Sequence, residues 1–149
     1  MNISEVSGFE ATGFVIRTTN ADEVDPSTEK IGELWAKFDT NAAPNLTEKS
    51  NVFGIYTNYE SDFKGAFDVI ACSDTLSPEI LPDSVKVNVT SGKYVTFSAS
   101  GEMPQTLIDL WGEVWSYFSA ENCLYERAYT TDFEYYKSAH EVEVSIAVR

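Results

Sequence analysis

Leu107-Ile108-Asp109-Leu110-Trp111-Gly112-Glu113-Val114-Trp115-Ser116-Tyr117-Phe118 is the most regular stretch of this chain. Its large apolar residues recur at intervals of three and four positions, which is the spacing of one face of an α-helix. Gly101 and Pro104 come just before the stretch and mark where the helix is introduced. The pattern predicts an amphipathic helix that packs its apolar face against a core.

An earlier stretch of the chain has the same pattern. When the two stretches are aligned on Trp35 and Trp111, the leucines that precede them also coincide. Asp25-Pro26 predicts the start of this first helix, with Asp25 as N-cap and proline at the first helical position. Leu and aromatic residues are common at core-facing helical positions, so chance and internal duplication both explain the match. The apolar positions of the first helix are Ile31, Leu34, Trp35 and Phe38.

Short runs rich in β-branched and aromatic residues predict strands around the two helices. The runs are residues 14–19, 52–59, 67–72, 85–89, 93–98, 132–136 and 142–148, with 125–131 as a loop or a short strand. The order of strand, helix and strands occurs twice, in residues 8–75 and 84–149. A chain of 149 residues is too short for two independent domains. We therefore predict one α+β domain of two pseudo-symmetric units, whose antiparallel half-sheets meet at a central cleft.

The charge of the chain restricts its partners. Lys and Arg number 10 against 24 Asp and Glu, which gives a formal net charge of -14. Such a surface repels phosphate backbones and anionic lipid headgroups and attracts cations, although acidity also serves solubility alone. We therefore expect no direct nucleic-acid or membrane partner.

The chain lacks the sequence features of export and of several kinds of catalytic site. The segment from Met1 to Gly13 has no basic cluster or long apolar run, so we expect a cytoplasmic protein. His140 is the only histidine, which excludes sites that need two imidazoles. No motif supports a catalytic triad around it. We assign no catalytic residues, no metal site and no cofactor from the sequence.

Three segments of the chain form an ordered set. They are Val52-Phe53-Gly54-Ile55-Tyr56 before a hairpin, Gly92-Lys93-Tyr94-Val95-Thr96-Phe97 before the Trp-bearing helix, and Asp132-Phe133-Glu134-Tyr135-Tyr136 before the final strand. Together they resemble the bacterial GyrI-like superfamily, which includes the AraC-type and multidrug-regulator effector-binding domains. The resemblance extends from about Gly8 to Arg149, and its most specific piece is the Phe-Glu-x-Tyr pattern at residues 133–136.

The resemblance implies two pseudo-symmetric βαββ units with a ligand cleft between them. Many members of the superfamily bind bulky lipophilic cations against a pocket glutamate, and the matching residue in this chain is Glu134. The transcription regulators of the superfamily also carry a DNA-binding segment, and this sequence shows no helix-turn-helix or basic segment beside the module. It therefore resembles a free-standing multidrug-type effector-binding protein of the kind found on integron gene cassettes.

The residues around Glu134 suit such a ligand. In a strand, Glu134 shares a face with Asp132 and Tyr136. By alternation alone this face also fits solvent, because Glu is rarely buried without a partner, and the resemblance is what favours the cleft. A carboxylate among aromatic rings suits a flat, apolar, positively charged ligand. The predicted ligand-binding residues are Glu134, Tyr56, Tyr94, Trp111 and Phe53, with Trp115 behind them; the tryptophans also fit as core residues.

Two other functions fit the same resemblance. Some GyrI-like proteins hydrolyse cyclopropane-containing compounds with a pocket glutamate, so Glu134 is a candidate for activating water. A protein-binding role of the gyrase-shielding type is the other alternative, and the acidic surface would suit a basic partner. Binding of a cationic aromatic small molecule is the first prediction, and an enzymatic function is left open.

Overall fold

The computed structural model describes residues 1–149 and contains eight strands and three α-helices. The strands are β1 (Asn2–Val6), β2 (Phe9–Thr18), β3 (Val52–Thr57), β4 (Phe67–Ser73), β5 (Val85–Val89), β6 (Gly92–Ser100), β7 (Arg127–Ser138) and β8 (Glu141–Val148). The helices are α1 (Asn20–Glu23), α2 (Ile31–Asn41) and α3 (Gln105–Ser119), and a 3-10 turn follows α2 at Ala43–Asn45.

All eight strands belong to one antiparallel sheet with the order β1-β6-β8-β7-β3-β4-β2-β5. The first unit contributes β2, β4 and β3, the second contributes β6, β8 and β7, and the two orders correspond when read outward from the central β3–β7 pair. The α+β fold with two pseudo-symmetric units is therefore confirmed. The two half-sheets are continuous, because β3 and β7 pair from Val52–Tyr136 to Thr57–Thr131.

The leading strand of each unit crosses to the other unit. β1 precedes β2 in the chain but pairs with β6, and β5 precedes β6 but pairs with β2. The loops before β2 and β6 meet where the Gly8 amide donates a hydrogen bond of 2.8 Å to Ser91 Oγ. Strand exchange in both directions links the two units at the outer edges of the sheet as well as at its centre.

The two long helices lie on one face of the sheet. Leu34 and Phe38 of α2 are buried in a cluster with β2 and β4, and Leu110 and Val114 of α3 are buried in a cluster with β6 and β8. The other face carries no helix. Its core is built from strand residues alone, among them Phe53, Ile55, Ile70, Tyr94 and Phe133.

The predicted start of the first helix was wrong. Helix α2 begins at Ile31 and not at Asp25-Pro26; the Asp25 carboxylate instead accepts hydrogen bonds from Ser27 in a turn. The α2 start is capped by Glu23 of the preceding short helix, which accepts from the Lys30 and Ile31 amides at 3.1 Å each. Strand β1 was not predicted. Of the two alternatives predicted for residues 125–131, the structure shows the strand, because residues 127–131 belong to the continuous strand β7.

No helix in the structure combines the length and the apolar character that a bilayer span requires.

Candidate functional site

A cavity of about 780 Å³ lies over the centre of the sheet, between α2 and α3. Its walls are mostly apolar and rich in aromatic rings, and the central strands β3 and β7 form its floor. Four large apolar residues at its lining are themselves exposed to solvent, which marks the open side: Val24, Phe63, Ile108 and Trp115. The cavity thus has an apolar mouth and an aromatic interior.

Glu134 of β7 lies at the floor of this cavity and is only 2% exposed. Its Oε2 accepts hydrogen bonds from the Tyr56 hydroxyl at 2.9 Å and from Trp111 Nε1 at 2.8 Å. Its Oε1 accepts one from the Tyr136 hydroxyl at 2.6 Å. Three neutral donors from β3, α3 and β7 therefore hold the carboxylate in one orientation.

No basic side chain forms an ion pair with Glu134. Burial raises the pKa of Glu134 above its ordinary value, and the hydrogen bonds from Tyr136, Trp111 and Tyr56 act in the opposite direction by favouring the anion. Burial also raises the pKa of the Tyr56 and Tyr136 hydroxyls well above the usual range, and the nearby carboxylate adds to this shift. Tyr56 and Tyr136 therefore donate hydrogen bonds, and the Glu134 carboxylate is the only charged group in this cluster.

The aromatic side chains around Glu134 form two matching pairs. Trp35 of α2 meets Tyr136 edge-on, with ring centroids 5.2 Å apart. Trp111 of α3 meets Tyr56 edge-on at 5.4 Å. The pseudo-symmetry of the fold exchanges one pair for the other, since Trp35 corresponds to Trp111 and Tyr56 to Tyr136.

Gly54 makes room for this arrangement. It pairs directly with Glu134 across the β3–β7 ladder. A Cβ atom at Gly54 would lie 2.5 Å from Glu134 Oε1 and 3.2 Å from Trp35 Cζ2. A side chain at this position would therefore displace either the carboxylate from its donors or the Trp35 ring.

A second polar cluster also borders the cavity. Arg127 Nη2 donates a hydrogen bond of 2.7 Å to Asp132 Oδ2, and Asp132 is fully buried. The Tyr59 hydroxyl donates to the same carboxylate oxygen at 2.5 Å, and the Ala147 amide donates to Oδ1 at 3.0 Å. Unlike Glu134, Asp132 is neutralised by a basic partner.

The structure brings four of the six predicted ligand-binding residues to the cavity. Glu134, Tyr56 and Trp111 meet at its floor, and Trp115 lies at its mouth rather than behind the others. Phe53 and Tyr94 do not reach it. Both lie on the helix-free face, where Phe53 packs against Phe9 and Tyr135, and the Tyr94 hydroxyl bonds to the Thr90 carbonyl and Thr131.

Sequence reasoning missed several residues that line the cavity. Tyr136 shares the strand face of Glu134 by simple alternation, so its position was predictable. Trp35 was interpreted as a core residue, although its alignment with Trp111 is a signal that it occupies the equivalent place. Tyr59, Phe63 and Arg127 come from loops or strand ends, where the sequence offers no periodic signal.

The site is suited to binding. No group of three or more His, Cys, Asp and Glu side chains is arranged to hold a metal ion. The arrangement offers flat apolar walls, one buried negative charge and a cavity with room for a drug-sized molecule.

Residues 2–148 match the protein family described as "Cass2: Integron-associated effector binding protein". The chain belongs to this Cass2 family. A solved Cass2-type structure, the integron cassette protein VCH_CASS2 from the mobile metagenome of Vibrio cholerae, is 73% identical with a TM-score of 0.96. The match covers 99% of this chain and 95% of that one. No sequence among the curated proteins matches significantly.

More distant structures share the fold of this Cass2 family member. SAV2435, solved bound to tetraphenylphosphonium, has a TM-score of 0.74 at 17% identity, with 99% of this chain and 93% of that chain covered. A putative bacterial transcription regulation protein from Staphylococcus aureus MU50 has a TM-score of 0.75 at 14% identity, covering 99% and 97%. These two likenesses show that the fold is shared, and the description of the family as effector-binding proteins comes from the family match.

Proposed function

We propose that this protein binds lipophilic aromatic cations in the cavity between α2 and α3, with Glu134 as the counter-charge. The observation that carries the proposal is the state of Glu134. A carboxylate is almost completely buried, held by three neutral donors, and has no basic partner. Burying an unpaired charge costs free energy, and a bound cation offsets that cost.

The walls of the cavity favour a cation that is also apolar and flat. Trp35, Trp111, Tyr56 and Tyr136 surround the carboxylate, and each ring face attracts a cation by about 0.5–2 kcal/mol, depending on desolvation. Rings tolerate many flat shapes because stacking needs no fixed hydrogen-bond pattern. We therefore expect the protein to accept several cations of different structure.

The distant structural relative SAV2435 adds support, since it was solved with tetraphenylphosphonium, a bulky aromatic cation. Both oxygens of Glu134 already accept hydrogen bonds, which suits a fixed counter-charge better than the free general base that the hydrolase alternative needs. We therefore favour binding over hydrolysis.

The test compares two ions of one shape and opposite charge, tetraphenylphosphonium and tetraphenylborate. Binding is followed by quenching of tryptophan fluorescence, because Trp35, Trp111 and Trp115 all line the cavity. We expect micromolar binding of the phosphonium, which corresponds to about -8 kcal/mol, and at least tenfold weaker binding of the borate.

The acidic surface of the protein would also favour the phosphonium without any role for the cavity. The titrations are therefore repeated in 1 M salt, where the Debye length is only about 3 Å and surface charges are screened. Equal affinity for the two ions in high salt would contradict the proposal.

A further inference from the structure

Arg127 places unused hydrogen-bond donors beside the cavity. The residue lies in the cavity wall at the start of β7 and is only 9% exposed. Its Nη2 is taken by Asp132, but its Nη1 makes no hydrogen bond within the protein. Its Nε is the one buried side-chain nitrogen or oxygen in the chain without a partner. Nε is closed off from solvent and therefore from a ligand as well, whereas Nη1 is not among the closed-off atoms and is the donor left for an acceptor from outside the protein.

The positive charge of Arg127 is compensated by the negative charge of Asp132. Asp132 is fully buried and bonded to Arg127 at 2.7 Å, so the two together are neutral. An anionic group that approached Arg127 would also approach the Asp132 carboxylate. A neutral acceptor, such as a carbonyl oxygen, receives the hydrogen bond without that repulsion.

The guanidinium is fixed in place by more than the ion pair. It lies over the Tyr129 ring at 4.6 Å and near the Trp115 ring at 5.9 Å. A fixed donor binds its acceptor with a smaller loss of side-chain entropy than a free one. Arg127 is therefore preorganised as a recognition group.

The position of this cluster relative to Glu134 sets the ligand geometry. Asp132 and Glu134 are two residues apart on one face of β7, so their Cα atoms are separated by roughly 7 Å. Glu134 and Arg127 thus line the same cavity at neighbouring places, since Arg127 contacts Asp132.

We propose that the cavity selects cations that also carry a neutral carbonyl acceptor. Glu134 is the counter-charge of the cation, and Arg127 donates a hydrogen bond to the carbonyl oxygen. This inference rests on the proposed function and narrows its ligand class. Cations without an acceptor still bind through the rings and Glu134, but they leave Arg127 unsatisfied.

The test uses two dyes that share a cationic ring system, tetramethylrosamine and tetramethylrhodamine methyl ester, of which only the second carries a carbonyl. We expect the native protein to bind the ester about tenfold more tightly than the rosamine. Infrared spectroscopy should show the ester carbonyl band shifted to lower wavenumber on binding, which needs no variant.

Arg127→Lys keeps a positive charge beside Asp132 but removes the unused guanidinium donors. The variant should bind the ester and the rosamine about equally tightly, and its affinity for the rosamine should stay within about twofold of that of the native protein. Arg17→Lys is the matched control, because Arg17 pairs with Asp68 at an exposed site away from the cavity, and it should keep the full preference.

The outcomes separate the two proposals. If rosamine binds but the ester binds no better, or if Arg127→Lys weakens both dyes equally, the role of Arg127 is refuted and cation binding stands. If neither dye nor tetraphenylphosphonium binds, the proposed function itself is refuted.

Discussion

At Glu134, one carboxylate oxygen can be replaced by an amide NH2 group without a change in the shape of the side chain. In Glu134→Gln, the amide oxygen can still accept from Tyr56 and Trp111, and the amide nitrogen can donate to the Tyr136 oxygen. The negative charge alone is lost. Removal of a desolvated charge partner costs about 2–5 kcal/mol, so we expect the affinity for tetraphenylphosphonium to fall more than tenfold.

Two controls accompany this variant. Glu121→Gln changes the net charge equally at an exposed position and should leave the affinity unchanged. The free energy of unfolding of Glu134→Gln should equal or exceed that of the native protein, because an unpaired buried charge has been removed. Unchanged phosphonium binding in Glu134→Gln would mean that the carboxylate is not the counter-charge of the ligand.

The raised pKa of Glu134 predicts how binding depends on pH. Cation binding requires the ionised carboxylate, and the pKa of Glu134 lies above the ordinary 4.5. The affinity for tetraphenylphosphonium, which does not titrate, should therefore fall as the pH is lowered through this raised value. A flat profile in Glu134→Gln is the control, and a flat profile in the native protein would contradict the prediction.

The same shift has the opposite sign for stability. The folded state binds this proton more tightly than the unfolded chain does, so the contribution of Glu134 to stability is greatest at low pH and is lost as the pH rises through the folded-state pKa. The empty site thus trades stability at neutral pH for a charge that a ligand can use.

At the residue scale, the sequence predicted the central residues of the site but not its complete set of lining residues. Glu134, Tyr56 and Trp111 meet as expected, because strand and helix periodicity place them on faces that the fold brings together. Phe53 was wrongly included, although it is three positions from Tyr56 and so points to the opposite face of the same strand. The face on which Tyr94 lies depends on the register of β6 with β8, which no local pattern determines.

Helix α2 depends on a cap that comes from outside the helix. The Glu23 carboxylate accepts from the amides of Lys30 and Ile31, and the Thr18 hydroxyl donates to it. Glu23→Ala leaves these amides without their acceptor and should lower the free energy of unfolding by about 1–2 kcal/mol. Urea denaturation checks this value.

Glu29→Ala is the matched control for this variant, since Glu29 is exposed and lies next to the same helix start without capping it. It should change stability by no more than about 0.5 kcal/mol. Equal effects of the two variants would show that the cap is not what stabilises α2.

At the scale of elements, periodicity succeeded where packing follows the local pattern. The stripe from Leu107 to Phe118 lies within α3, and the alternation of residues 85–89 coincides with β5. Strand β1 escaped prediction because its side chains are mostly exposed and it exists only by pairing with β6. The start of α2 was misplaced because Glu23 caps it across a turn, a contact created by the tertiary fold.

The charge of the whole molecule predicts which macromolecules it avoids. With 24 acidic and 10 basic residues, the protein is expected to repel DNA. It has too few basic side chains to release the counterions that surround the DNA phosphates, which is what drives nonspecific binding. The purified protein should therefore show no shift of duplex DNA in a gel at physiological salt, with or without tetraphenylphosphonium. A shifted band would contradict this expectation.

Strand exchange predicts that the molecule unfolds as one cooperative unit. Because β1 completes the second unit and β5 completes the first, neither half can keep its whole sheet when the other unfolds. The single domain expected from chain length stays a prediction, and this strand order gives it a physical reason that the order of strands along the sequence does not reveal.

The central Gly54–Glu134 pair has a consequence for how such a site can arise. It lies where the two units meet, with the equivalent pairs Trp35–Tyr136 and Trp111–Tyr56 around it. A homodimer of identical half-length chains would place the same residue on both sides of this axis. Two glycines would leave no charge, and two glutamates would collide, since even a Cβ at Gly54 comes within 2.5 Å of the carboxylate. A fused chain, whose halves are free to diverge, can carry a single carboxylate beside its pseudo-twofold axis, which two identical halves cannot.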